Sequence, residues 1–262
     1  MEYDVNSIAY HFIPTKDNGR VLIWRQGTSG FFSNNENDRK VIYRLLKEGY
    51  SVMALSHLLR GPNNKPIVPT SYGYIKLKGP HDLFALESEK LSGLKFLYQP
   101  VSVAINYLEQ NYEYRCYDMA GFSGGAMITV GYAAADTRIC NSFAISGSYP
   151  AFISNNWDDY RLVALRRIAN LLEIYVMAGF GPNRNHIQIA NKFDRYVKLY
   201  GSGILLYKDK LSKKISDLGA GNFIGILDNT FKCHILSDYA VEFIVEHLTE
   251  FYQGDQPPSL HR

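Results

Sequence analysis

The chain has 262 residues, 46% of them hydrophobic and 20% charged, with a formal net charge of +3. That length suits one α/β domain around a continuous core, and no apolar run reaches the roughly 20 residues that a membrane-spanning helix needs. So small a positive charge argues against the dense basic footprint of a nucleic-acid-binding protein.

The opening residues, MEYDVNSIAY, have neither a basic n-region nor an apolar h-region, so no secretory signal is expected. Cys116, Cys140 and Cys233 lack CxxC spacing, which points away from a zinc ribbon or a disulfide scaffold and toward a reducing, cytoplasmic setting. Cys233 reads as a buried thiol.

In chain order, RVLIWRQGTSG is an apolar run ending in glycine and polar residues, a buried strand feeding a loop. NENDRKVIYRLLKEG follows with Val41, Ile42, Leu45 and Leu46 at helical spacing, Asn37 as a possible N-cap and Gly49 as the stop. YSVMALS is a second strand, and a long loop separates it from LYQPVSVAINYLEQN. There Val101, Ala104, Ile105 and Leu108 share one helix face, with Pro100 placed in the first turn.

CYDMAGFS then predicts a strand, GGAMITVGYAAA a helix of small residues, and RICNSFAISGS another strand. WDDYRLVALRRIANLLEIYVMAG reads as a long helical stretch, HIQIANKFD and NFIGILDNT as strands. In YKDKLSKKISDL, Lys208, Lys210, Lys213 and Lys214 surround Leu211, Ile215 and Leu218 in the pattern of a surface helix. SDYAVEFIVEHLTEFY is a terminal helix that buries Val241, Ile244, Val245 and Leu248. Strands alternating with helices predict a mostly parallel sheet covered on both faces, with ligands outside the carboxyl ends of the strands.

Gly121, Ser123 and Gly125 in MAGFSGGAM match G-x-S-x-G. The pattern alone would occur by chance in roughly one chain in ten of this length, so its context decides. A strand precedes Ser123 and a helix of Gly124, Gly125 and Ala126 follows, the setting of a nucleophile elbow, whose neighbours must be tiny for strand and helix to approach. A serine hydroxyl needs a histidine base held by a carboxylate. In this architecture these follow in the order serine, acid, histidine, on loops after later strands. His234 lies between the last strand and the last helix, whereas His247 falls inside that helix and His261 in the tail. Asp194, just beyond the penultimate strand, is the acid that strand order favours, with Asp228 its main competitor.

An oxyanion needs preorganised N–H donors. Gly124, after the serine, supplies one, and the backbone of Thr28 or Gln26 in RQGTSG supplies the other, with Gly27 allowing close approach. Phe122, His81 and Trp157 are candidate substrate contacts. His81 and Asp82 lie in the long loop, where Asp82 also suits a helix cap. Tyr149 through Gly181 is a candidate lid or insertion in which Trp157, Tyr160 and Tyr175 line an aromatic pocket or simply pack.

With LIWRQGTSG, MAGFSGGAM, QIANKFDRYV and DNTFKCHILS in these places, the chain resembles a serine hydrolase of the α/β-hydrolase superfamily, in its esterase and prolyl-oligopeptidase-like part. The resemblance covers most of the chain and departs at Gln26-Gly27, where the family commonly has His-Gly. It implies one α/β-hydrolase domain over residues 1–262 with a small helical insertion. It also implies Ser123 as nucleophile, Asp194 as acid and His234 as base, acting on a small-molecule ester or acylated substrate without a metal or organic cofactor. The same three residues also serve a peptidase or an acyltransferase. A noncatalytic ligand-binding descendant of the fold would have no need to keep all three.

Overall fold

The structure, a computed structural model, describes residues 1–28, 35–71, 73–153, 168–197 and 201–253. Its strands are β1 (Ala9–Phe12), β2 (Val21–Arg25), β3 (Ser51–Leu55), β4 (Ile67–Thr70), β5 (Gly73–Lys76), β6 (Tyr117–Phe122), β7 (Ile139–Ile145), β8 (Asn185–Asn191) and β9 (Asn222–Asp228). Its helices are α1 (Glu36–Lys47), α2 (Gly93–Asn111), α3 (Gly124–Ala135), α4 (Leu171–Gly179), α5 (Lys208–Asp217) and α6 (Asp238–Gln253).

Seven strands form one sheet in the order β1-β3-β2-β6-β7-β8-β9. Every neighbouring pair is parallel except β1 with β3. Parallel strands buried on both faces need apolar residues at odd and even positions alike, and β2 shows this directly. Leu22 and Trp24 pack with Val41 and Leu45 of α1 and Ile244 and Leu248 of α6, while Val21 and Ile23 pack with Val101, Ile105 and Leu108 of α2. Farther along that second face, Ala126 and Val130 of α3 meet Ile174 and Tyr175 of α4 and Leu211 and Ile215 of α5. Among the described residues no helix is long and apolar enough to cross a membrane.

Several local expectations are corrected. Asn35, not Asn37, caps α1, its side chain accepting from the backbone N–H of Asn37 and Asp38. α2 begins at Gly93 behind the Ser92 cap, so Pro100 lies inside the helix and not in its first turn. The long loop contains the β4–β5 hairpin and a 3-10 helix at Pro80–Leu86. Cys116 and Cys140 are paired as a disulfide with their Cα atoms 6.1 Å apart, a bond that the reading of a reducing setting did not anticipate. They come together because β6 and β7 are neighbours. Cys233, expected to be buried, is an exposed free thiol.

One buried side chain ties the second face together. Arg184 donates from Nε to the Ile139 carbonyl (3.0 Å), from Nη1 to Met177 (3.1 Å) and Phe180 (3.0 Å) at the end of α4, and from Nη2 to Ala133 near the end of α3. Helix C-termini leave carbonyls without intrahelical donors and carry partial negative charge, so one guanidinium satisfies both helix ends. Replacing it by an apolar side chain orphans four carbonyls in a site only 6% exposed. We expect Arg184→Met to lower the unfolding free energy by roughly 3 kcal/mol, read from urea unfolding; a loss below about 0.5 kcal/mol, the scale of an ordinary surface substitution, would contradict this role.

Candidate active site

Ser123 sits between the last residue of β6 and the first of α3 with φ 55° and ψ −118°, a conformation that costs a non-glycine residue about 1–3 kcal/mol. Its surroundings impose this geometry. A Cβ on Gly121 would lie 2.3 Å from the Gly125 carbonyl oxygen, and one on Gly125 would lie 2.2 Å from that of Arg25. Only glycine lets the helix start so close to two strands. The Ser123 N–H donates to the Ile145 carbonyl of β7 at 2.8 Å, pinning the turn to the sheet.

The loops after β8 and β9 converge on this turn. His234 Nε2 is 2.8 Å from Ser123 Oγ, and His234 Nδ1 is 2.6 Å from Asp194 Oδ2. A carboxylate only accepts, so the Nδ1 nitrogen carries the proton and Nε2 is left to accept from the serine hydroxyl. Asp194 is fully buried, and its other oxygen accepts from the Tyr196 N–H at 3.0 Å. The two loops are tied to each other because Asn191 Nδ2 donates to the Cys233 carbonyl at 2.6 Å. The imidazole lies between two rings, with Phe122 and Tyr196 each 4.9 Å away between centroids.

The competing carboxylate, Asp228, is engaged elsewhere. It accepts from the N–H and hydroxyl of Thr230 at 2.8 and 2.6 Å and from the hydroxyl of Ser237, bracing the turn that leads to His234.

A cleft of ≈ 590 Å³ opens over Ser123 and His234, with Gly27, Thr28, Phe122 and Arg195 in its walls. This is within the range of small-molecule sites. Gln26 is placed differently from expectation, since its N–H is directed at the Leu55 carbonyl at 3.5 Å and it does not line the cleft. Of the two candidates on that loop, Thr28 is the one at the cleft wall. His81 is exposed on the 3-10 helix and does not line the cleft, while Asp82 caps that helix by accepting from the N–H of Lys78 and Gly79. Tyr175 is buried in the core, donating to the Ser148 carbonyl. Trp157 and Tyr160 lie outside the described residues.

Asp38 and Arg195, both at the cleft, went unrecognised in the sequence. Asp38 is the third residue of α1, where an acid reads as an ordinary helix-start residue. In the structure it is buried and accepts from Trp24 Nε1 at 2.9 Å and Gln26 Nε2 at 2.8 Å. It thereby fixes both side chains at the root of the loop that carries Thr28. Among the described residues no group of three or more histidine, cysteine or acidic side chains is placed to hold a metal ion.

No protein-family model matches the chain, and no curated protein matches it by sequence. Solved structures do match in shape. Est1E from Butyrivibrio proteoclasticus, in a structure with ferulic acid bound, shares 16% identity over 95% of each chain at a TM-score of 0.61. The esterase Pf2001 of Pyrococcus furiosus shares 17% identity over 97% of this chain and 89% of its own at a TM-score of 0.62. Acetyl xylan esterase 1 from Thermoanaerobacterium sp. JW/SL YS485 shares 14% over 95% of this chain and 80% of its own, at 0.64. The protein has the α/β-hydrolase fold. At these identities the likeness is one of architecture. In this α/β-hydrolase fold the turn at Ser123 and the loops bearing Asp194 and His234 all lie at the carboxyl ends of parallel strands.

Gly125→Ala should lower the unfolding free energy by roughly 1–3 kcal/mol, because its methyl group must push α3 off β2; an unchanged urea midpoint would show that the close approach is dispensable. For Asp38, burial raises the carboxyl from 3.8 to about 6 against the opposing pull of the Trp24 and Gln26 hydrogen bonds. Between about pH 4 and 6 the folded protein keeps a proton that the unfolded chain has released, so this contribution to stability is full below about pH 4 and is lost as pH rises through about 6. The loss is on the order of 2–3 kcal/mol. Between about pH 4 and pH 7 the stability change of Asp38→Asn, read from urea unfolding, should be more favourable than that of the wild type by that amount, the Gln26 amide turning over to meet the new side chain. An Asn variant with the wild-type pH dependence would contradict it.

Proposed function

We propose that this protein is a serine hydrolase that cleaves a carboxylic ester through an acyl-enzyme on Ser123. The observation that carries the reading is the continuous hydrogen-bonded chain from Ser123 Oγ through His234 to the buried Asp194, mounted on a turn with positive φ. Support also comes from the shared architecture with proteins described as esterases.

In the proposed reaction, Ser123 Oγ attacks the ester carbonyl while His234 Nε2 takes its proton. The imidazolium is stabilised by Asp194, which also holds the ring in the tautomer the step needs. The tetrahedral oxyanion is received by the backbone N–H of Gly124 at the start of α3 and by that of Thr28 on the facing loop. His234 returns the proton to the leaving alkoxide, and the ester C–O bond breaks. It then activates a water that attacks the acyl-enzyme, releasing the carboxylic acid and restoring Ser123. Phe122 and Tyr196 pack against the imidazole, whose side chain is 14% exposed, and such burial strengthens its hydrogen bonds to both partners.

Steady-state hydrolysis of 4-nitrophenyl acetate tests the assignment. Ser123→Ala and His234→Ala should each reduce kcat by on the order of 10³-fold or more. Asp194→Asn should cost roughly 10²- to 10⁴-fold, while Asp228→Asn should stay within about threefold of wild type, since Asp228 braces a turn and does not touch His234. A wild-type rate in Ser123→Ala would refute the reading. Equal losses in Asp194→Asn and Asp228→Asn would refute the choice of acid.

A further inference from the structure

The cleft over Ser123 has two charged side chains in its walls, Asp38 and Arg195, and they are not equivalent. Asp38 is buried, and both of its oxygens already accept hydrogen bonds, from Trp24 and Gln26. Arg195 is exposed to the cleft, and among the described residues it makes no ion pair with a carboxylate. Its guanidinium instead lies 5.5 Å from the centre of the Tyr196 ring. That ring meets His234 edge to face at 4.9 Å, so the cation is set beside the base on a shared aromatic support.

The backbone that carries Arg195 is also well held. Asp194 donates its N–H to the Asn191 carbonyl at 3.2 Å and accepts from the Tyr196 N–H, so the residues on both sides of Arg195 are fixed by the turn that delivers the acid. A guanidinium is a planar fork of N–H donors that matches the two oxygens of a carboxylate. A cation in the wall of a cleft also concentrates anions near the reacting centre.

We propose that Arg195 makes this site selective for esters that carry a carboxylate on the part of the molecule lying over the acid loop. The inference rests on the ester-hydrolase reading above and names its substrate class. Such a substrate is cleaved at its ester carbonyl by Ser123 while its free carboxylate pairs with the guanidinium. A neutral ester of the same size leaves that pairing unmade.

Two matched pairs of probes test this, one for each side of the scissile bond. On the acyl side, mono-4-nitrophenyl glutarate is compared with its primary amide. On the alcohol side, 3-acetoxybenzoate is compared with 3-acetoxybenzamide. Each rate is corrected for uncatalysed hydrolysis. In at least one pair the wild-type kcat/KM should favour the anion by about tenfold, the scale of a charge-assisted hydrogen-bonded contact. The preference should shrink in about 0.5 M NaCl, fall to near unity in Arg195→Gln, and survive in part in Arg195→Lys.

Neutral esters turned over with no anionic preference in either pair would overturn the proposal and leave the hydrolase reading standing. A preference that persists undiminished in Arg195→Gln would also overturn it. Failure to hydrolyse any of the four esters or 4-nitrophenyl acetate would bring down both.

Discussion

The arrangement of this site depends on one close approach of backbone to backbone. α3 begins so near β2 and β6 that a single methyl group on Gly125 would overlap the Arg25 carbonyl, and one on Gly121 would overlap the carbonyl of Gly125. Held that tightly, the residue between strand and helix has little choice of conformation. Ser123 takes positive φ, its N–H is bonded to β7, and its hydroxyl stands at the carboxyl edge of the sheet. The strain is local and is sustained by a core that packs three helices, α3, α4 and α5, on that side of the sheet. The same geometry places the Gly124 N–H at a helix N-terminus, where partial positive charge is concentrated.

The parallel sheet does the remaining positioning. Successive strands β8 and β9 release their loops at the same edge as β6, so residues 123, 194 and 234 meet although they are 40 to 111 residues apart in sequence. Asn191 links the Asp194 loop to the His234 loop, and Asp228, the other carboxylate at this edge, braces the second loop from within. Two carboxylates at adjacent strand ends therefore have separate environments. One is buried against an imidazole, and the other is saturated by Thr230 and Ser237.

Much of this was legible in the sequence because it follows from chain order and backbone chemistry. Glycine at 121 and 125 around a serine, between a strand and a helix, specifies a tight turn whatever lies elsewhere. The alternation of strands and helices gives the edge at which His234 and Asp194 emerge. What could not be read depends on which strands and helices become neighbours. Cys116 and Cys140 meet only because β6 and β7 are adjacent. Asp38 looks like a helix-start acid until Trp24 and Gln26 of the facing strand and loop are placed against it. Arg195 is one more basic residue in a turn until Tyr196 supports it at the cleft wall. Pro100 misled for a different reason: it is a strong local start signal, and Ser92 with the apolar residues that follow it began α2 earlier.

The central claim is that Ser123 is activated by His234, and covalent labelling tests it most directly. The folded protein would be treated with a fluorophosphonate probe and the adduct located by peptide mass spectrometry, in wild type and in His234→Ala. The account predicts a phosphonyl adduct on Ser123 in the wild type and labelling slowed by on the order of 10³-fold or more without the histidine. An unlabelled wild-type protein, or labelling of Ser123 at equal rates with and without His234, would contradict it.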